Sequence, residues 1–220
     1  MKRIETEHYI FHYGADTKAE QDIEKISAYQ ESCFRYICSV LGVTPTFKIE
    51  YYLCDSPEDV GHQYGDDDPC NGFAAPPNKI YAVYNEQVQC IGFHEDAHLI
   101  SFTINRPPCP AITGGLAMYF DRKWWDIQNM DWTGYYLKID RYIGIDKMLS
   151  REVFFSEDCS ITHPIMGAFT DWLLSLGRQT DSSAKPKKRL HTERVKGALS
   201  LRWSVRLLPL FPLSEVRLGV

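Results

Sequence analysis

The chain has no run approaching the roughly 20 uninterrupted apolar residues that a membrane-spanning helix needs. Its most apolar stretch, Leu207 to Leu213, is short and broken by Pro209 and Pro212. The N-terminus turns polar at once through Met1-Lys2-Arg3-Ile4-Glu5 and lacks the apolar core of a signal peptide. Both absences lead to the expectation of a cytoplasmic protein with no membrane partner. Cysteine pairing is also missing: the seven cysteines are scattered, odd in number and contain no CxxC. That excludes a disulfide framework and a thiolate zinc site, and leaves reduced, mostly buried thiols as the expectation. No internal repeat or low-complexity block is present. A basic face is lacking over most of the length, since residues 1–180 carry a net charge of −11. Nucleic acid is thereby excluded as an expected partner, because neutralising phosphates requires such a face.

What is there suffices for a folded core. The 220 residues are 44% hydrophobic and 13% aromatic, enough apolar surface to offset the entropy of ordering the chain. The last 40 residues differ, with a net charge of +6 and the run Lys185-Pro186-Lys187-Lys188-Arg189. Residues 181–220 are expected to form a partly ordered basic tail. A nucleic-acid or membrane patch there is the weaker alternative, since basic runs are weak motifs.

Along the chain, His8 to Tyr13 reads as a strand ended by Gly14. Ile23, Ile26, Cys33, Phe34, Ile37 and Leu41 recur at helical spacing, with Gly42 as the stop. Thr46 to Leu53 alternates like a strand, and Ser56-Pro57-Glu58-Asp59 opens a helix with a cap, a first-turn proline and two acids. Gly65 to Pro77 is loop-like, and Lys79 to Tyr84 is a further strand. Helices are expected over Val88–Phe102, Ala111–Arg122, Tyr135–Leu149 and Pro164–Leu176. Strands precede helices, which predicts an α+β fold.

One stretch carries chemistry: Phe93-His94-Glu95-Asp96-Ala97-His98-Leu99, an HExxH motif. On a helix, positions i and i+4 share a face, so both imidazoles can reach one ion. Neutral imidazole suits zinc, and the glutamate after the first histidine can act as base on a zinc-activated water. Chance would produce the pattern in about one shuffled sequence in a hundred, so the motif needs its context. The apolar flanks Ile91, Leu99 and Ile100 and the strand ahead of it supply that context. The alternative is a helix carrying two structural histidines.

With these residues the chain resembles the gluzincin branch of zinc metallopeptidases, in particular the bacterial peptidase MA-like group. The resemblance rests on Glu5-Thr6-Glu7-His8-Tyr9, Asn71-Gly72-Phe73-Ala74, the HEDAH motif and Thr113-Gly114-Gly115-Leu116-Ala117-Met118-Tyr119-Phe120, with a weaker match at Met166-Gly167-Ala168-Phe169. It implies one zincin-like domain over residues 1–180. A mixed sheet with helices would fill about residues 1–103, and a mostly helical lobe about residues 104–180. It further implies Zn2+ held by His94 and His98, Glu95 as catalytic base, and His163 as the donor facing the developing oxyanion. Gly72, Phe73 and Ala74 would be an edge strand pairing with a peptide or protein substrate. Reading the residues alone leaves an ordinary glycine turn at 71–75 and a helix-start histidine before Pro164 open.

The chain departs from the family at the third ligand. Where the family pattern has the glutamate of E-G-L-A, this sequence has Gly114. Asp121 lies seven residues further along, two turns on the same face, and reaching the same ion would require a shifted helix. Two functional expectations follow. One is a zinc-dependent hydrolase of peptide bonds; the other is an inactive pseudo-peptidase that binds peptide or protein on the same fold.

Weaker features read as structural. Asp66-Asp67-Asp68 lacks the spaced ligands of a calcium loop and reads as a solvated acidic loop. His8 and His12 share one face of a strand without forming a ligand set. Trp124, Trp125 and Trp132 either line a cleft or close the core, with core as the expectation.

Overall fold

The computed structural model describes residues 1–65 and 68–179. In chain order the elements are β1 (Lys2–Glu5), β2 (Tyr9–Tyr13), α1 (Lys18–Leu41), β3 (Ile49–Cys54), α2 (Pro57–Tyr64), β4 (Gly72–Ala75) and β5 (Lys79–Val83). There follow α3 (His94–Ser101), α4 (Pro110–Asp121), β6 (Lys123–Trp124), β7 (Ile127–Gln128), α5 (Asn129–Lys138), α6 (Ile145–Met148), α7 (Arg151–Ser156) and α8 (Cys159–Gln179). The fold is α+β, with a five-stranded mixed sheet in the order β1-β2-β3-β5-β4. β2, β3 and β5 run parallel, while the outer strands β1 and β4 are antiparallel to their neighbours.

Local chemistry accounts for most boundaries. Thr17 caps α1 by accepting from the Glu20 amide, and Gly42 closes it in the left-handed region at φ 62°. Ser56 caps α2 through the Asp59 amide with Pro57 in the first turn. β2 alternates buried and half-buried residues, sending Tyr9, Phe11 and Tyr13 into the core under α1. The other face carries stacked rings across four strands: His12 on Tyr52 at 4.4 Å, Tyr52 on Tyr81 at 4.6 Å, and Tyr81 on Phe73 at 5.1 Å. Such cross-strand pairs fix register as well as adding stability.

Several expectations are corrected. β1 was not foreseen, because its Lys-Arg-Ile-Glu composition is that of an exposed edge strand with only Ile4 half-buried. The helix expected over 88–102 begins only at His94. Gly92 stands at φ 132°, outside any helix, and Tyr84 and Gln89 bridge as strand. The helix expected over 135–149 is two helices, separated where Asp140 takes φ 55°. Trp125 is 72% exposed at the tip of the β6–β7 hairpin rather than in the core.

Pro164 does not begin a helix; it lies inside α8. A proline there lacks the N–H that would bond the carbonyl four residues back. That carbonyl, on Ser160, instead accepts the hydroxyl of Tyr136 at 2.9 Å, so the vacancy is filled from α5.

Two apolar clusters hold the molecule. The larger joins the sheet to α1, α3 and α4, with Leu99, Ile100, Leu116, Ala117 and Phe120 at its boundary with the helical part. The smaller gathers Ala111, Tyr136, Met148, Phe154, Ile161, Ile165 and Met166 within that helical part. α4 contributes to both and forms the shared wall. Among the described residues no helix is long and apolar enough to cross a membrane, and the seven cysteines are free thiols. The basic tail expected over 181–220, and Asp66 and Asp67 of the acidic loop, lie outside the described residues.

Candidate metal centre

Helix α3 buries one face and leaves the other open. Asp96, Ala97, Leu99 and Ile100 point into the core, while His94, Glu95 and His98 are half-buried on the opposite side. The buried side is anchored by polar bonds. Asp96 accepts from the Tyr9 hydroxyl and, at 3.1 Å, from the Gln30 amide. Gln30 also holds Gly92 at both ends, donating to its carbonyl at 3.1 Å and accepting its amide at 2.7 Å. The start of α3 is therefore fixed from α1, and with it the direction of His94.

The two imidazole centres of His94 and His98 are 5.2 Å apart, nearly perpendicular at 79°. A zinc–nitrogen bond of about 2.0–2.1 Å puts each ring centre roughly 3.2 Å from the ion, so two rings at a tetrahedral angle sit about 5.2 Å apart. The observed separation of ring centres equals that value. Asp121, from the end of α4, meets His94 Nδ1 at 2.8 Å. This places it behind the histidine and leaves Nε2 of His94 as the outward nitrogen. A carboxylate behind an imidazole fixes both its tautomer and its orientation. Burial would lower the pKa of His94, but the Asp121 charge and hydrogen bond, with Glu95, outweigh it and raise it to about 9. For His98, burial is reinforced by the neighbouring His94 and His163, holding it well below the ordinary value and so neutral.

Glu95 turns toward the edge strand. Burial raises its carboxyl pKa, partly offset by His94 and by a bond from the Ala74 backbone. β4 is the outermost strand on this side. Asn71 turns its carbonyl to Val83, so by the two-residue period Gly72 and Ala74 turn their backbone groups outward. A Cβ at Gly72 would lie 3.6 Å from Glu95 Oε1; glycine leaves that side of the carboxylate uncrowded. Gly72, Phe73 and Ala74 are thus an edge strand beside Glu95, not a turn.

His163 reaches the same cluster from α8. Its ring lies 6.1 Å from that of His94, wedged between Phe154 at 5.2 Å and Trp124 at 5.5 Å. Burial, with the His94 charge, pushes its pKa down to about 4. Gly114 faces it: a Cβ there would stand 3.7 Å from His163 Nε2 and 3.2 Å from Phe154. The structure therefore brings together His94, Glu95, His98, His163 and the Gly72–Ala74 strand. Sequence reasoning missed Asp121 as the partner of His94, and missed Trp124 and Phe154 as the rings that fix His163. Spacing gave no signal for these roles, since the first depends on how α3 packs against α4 and the second on how β6 and α7 meet α8.

Among the described residues the group that brings three ligating atoms within 4.8 Å of one another lies elsewhere, at Glu7, His8 and Glu31; the residues of the cleft do not approach so closely. That group joins β2 to α1, where Glu31 already accepts from Thr6, from the His8 amide and from Arg35, and pairs with His8 Nδ1. Those bonds use the carboxylate as a structural tie. No family model, curated protein or solved structure matches this chain.

Proposed function

We propose that this protein is a zinc-dependent hydrolase of peptide bonds, of the gluzincin type. The observation that supports it most is the His94–His98 pair at the ring separation expected of two ligands on one ion, with Glu95 bonded to the backbone of the outermost strand β4. His94 and His98 would hold Zn2+, with Asp121 orienting His94. Bound there, the ion supplies Lewis acidity and a water of lowered pKa. The remaining work belongs to the chain. Of the outward groups on β4, the Ala74 amide already bonds Glu95 and the Gly72 carbonyl accepts the Cys70 thiol at 3.3 Å, so an extended peptide would add as a further strand through the Gly72 amide and the Ala74 carbonyl. Glu95 takes the proton of the attacking water on its carboxylate and delivers it to the leaving amine nitrogen.

The test is metal content and turnover together. Protein purified without chelator or histidine tag is expected to carry one zinc per chain and to cleave peptides in a chelator-sensitive way. Absence of bound zinc after zinc addition would refute the reading. Asp121→Asn is expected to weaken zinc by about 10- to 100-fold, the usual cost of losing a carboxylate behind a ligating histidine. Competition titration against a chromophoric chelator measures it, and unchanged affinity would remove Asp121 from the site.

Gly114 favours a second reading, a pseudo-peptidase that binds peptide or protein on the same fold without cleaving it. It predicts peptide binding indifferent to chelators and to Glu95 substitution.

A further inference from the structure

We infer that His163 supplies the third protein ligand of the metal centre, through Nε2, in the space left empty by Gly114. The inference rests on the zinc-site reading above and names the group that completes it.

A glutamate at position 114 would carry its carboxylate oxygens roughly 3 to 4 Å from its own Cβ, by ordinary bond lengths. His163 Nε2 stands 3.7 Å from where that Cβ would be. The imidazole nitrogen stands at the distance from position 114 that such a carboxylate would span. Glycine at 114 and histidine at 163 are therefore complementary: a side chain at 114 would press on Phe154, at 3.2 Å, and crowd His163.

The Thr162 hydroxyl lies 3.2 Å from His163 Nδ1, and the Cys159 backbone bonds the same side chain. With Nδ1 engaged, Nε2 is the nitrogen left for a ligand, the usual division of labour in a ligating histidine. Phe154 and Trp124 hold the ring plane.

Distance sets what must still move. His94 and His163 have ring centres 6.1 Å apart, against about 5.2 Å for two ligands at a tetrahedral angle. The nitrogens of His94, His98 and His163 do not yet lie within 4.8 Å of one another, so closing the site requires the His163 ring to move toward both other histidines. The completed set of three imidazoles keeps a fourth position open for water, as catalytic zinc sites do. This replaces the role expected from sequence, a donor to the oxyanion, because one Nε2 cannot both bind the ion and donate a hydrogen bond.

Zinc and cobalt(II) binding to the metal-free full chain test the assignment. Wild type is expected to bind one zinc and to give the intense visible absorption of four-coordinate cobalt. His163→Ala and the better-filled His163→Gln should lose zinc affinity by roughly 100-fold or more, beyond the 10- to 100-fold typical of outer groups. Their cobalt absorption should weaken, while the far-ultraviolet circular dichroism of the metal-free protein stays unchanged. Adding Gly114→Glu to His163→Ala should restore both affinity and spectrum. Wild-type affinity and an unchanged cobalt spectrum in His163→Gln would overturn the assignment and leave the zinc reading standing. If turnover alone fell in that variant, His163 would be the oxyanion donor instead. If wild type bound no zinc, or bound it equally after His94→Ala, the zinc reading itself would fall.

Discussion

Replacing Glu95 by glutamine is expected to reduce peptide hydrolysis by about 10²- to 10⁴-fold, the range associated with a positioned general base. Zinc affinity and the folding transition should stay near those of wild type. The substitution keeps the size of the side chain and its acceptor oxygen, so the bond from the Ala74 backbone persists in Glu95→Gln. What disappears is the ability to take a proton. Neither His94 nor His98 is free to replace it, since both rings are directed at the ion in the proposed site. Peptide should still bind, because the Ala74 amide keeps its bond to the glutamine oxygen and the Gly72 amide and Ala74 carbonyl are untouched. Turnover under saturating substrate, compared with zinc titration on the same sample, separates the two quantities. Hydrolysis retained at more than a tenth of the wild-type rate would exclude Glu95 as the base.

The same helix shows what sequence can and cannot reveal about this fold. His94 and His98 were legible because helical periodicity alone puts i and i+4 on one face. Glu95 followed from adjacency. Caps and stops were equally local: Thr17, Gly42, Ser56 and Pro57 each act on backbone groups a few residues away. The strand expected at 79–84 and the helix at 111–122 lie within a residue of where they form. What sequence did not carry was set by distant contacts. The true start of α3 depends on Gln30, 62 residues before Gly92. Pro164 survives inside α8 because Tyr136 bonds Ser160 from another helix. The Asp121–His94 bond spans 27 residues, and the approach of His163 to Gly114 requires the crossing of α4 and α8. Membership of an element was written locally, and the partners of its side chains were not.

That crossing is where a small change has a large effect. Gly115→Ala is expected to destabilise the protein by about 1–3 kcal/mol, the usual cost of overpacking a tight interior. The added Cβ would stand 2.9 Å from the backbone carbonyl oxygen of Met166 and 2.6 Å from Thr170 Oγ1. The hydroxyl can rotate away, but the carbonyl belongs to α8 and moves only with the helix. α4 and α8 must therefore separate, and the separation draws His163 back from Gly114 and from His94. Gly167 makes the reciprocal close contact, since a Cβ there would lie 2.7 Å from Met118 Cβ. The two glycines set the helix spacing that puts three histidines in one cleft. Urea unfolding should show the loss of stability. Zinc titration of the folded Gly115→Ala variant should show weaker binding, although Gly115 is not among the proposed ligands. The Leu116→Ala control separates the effects: it removes a core side chain that is 4% exposed, at a cost of about 2–5 kcal/mol, without wedging the two helices apart. A folded Gly115→Ala with wild-type zinc affinity would show that the α4–α8 spacing does not position His163.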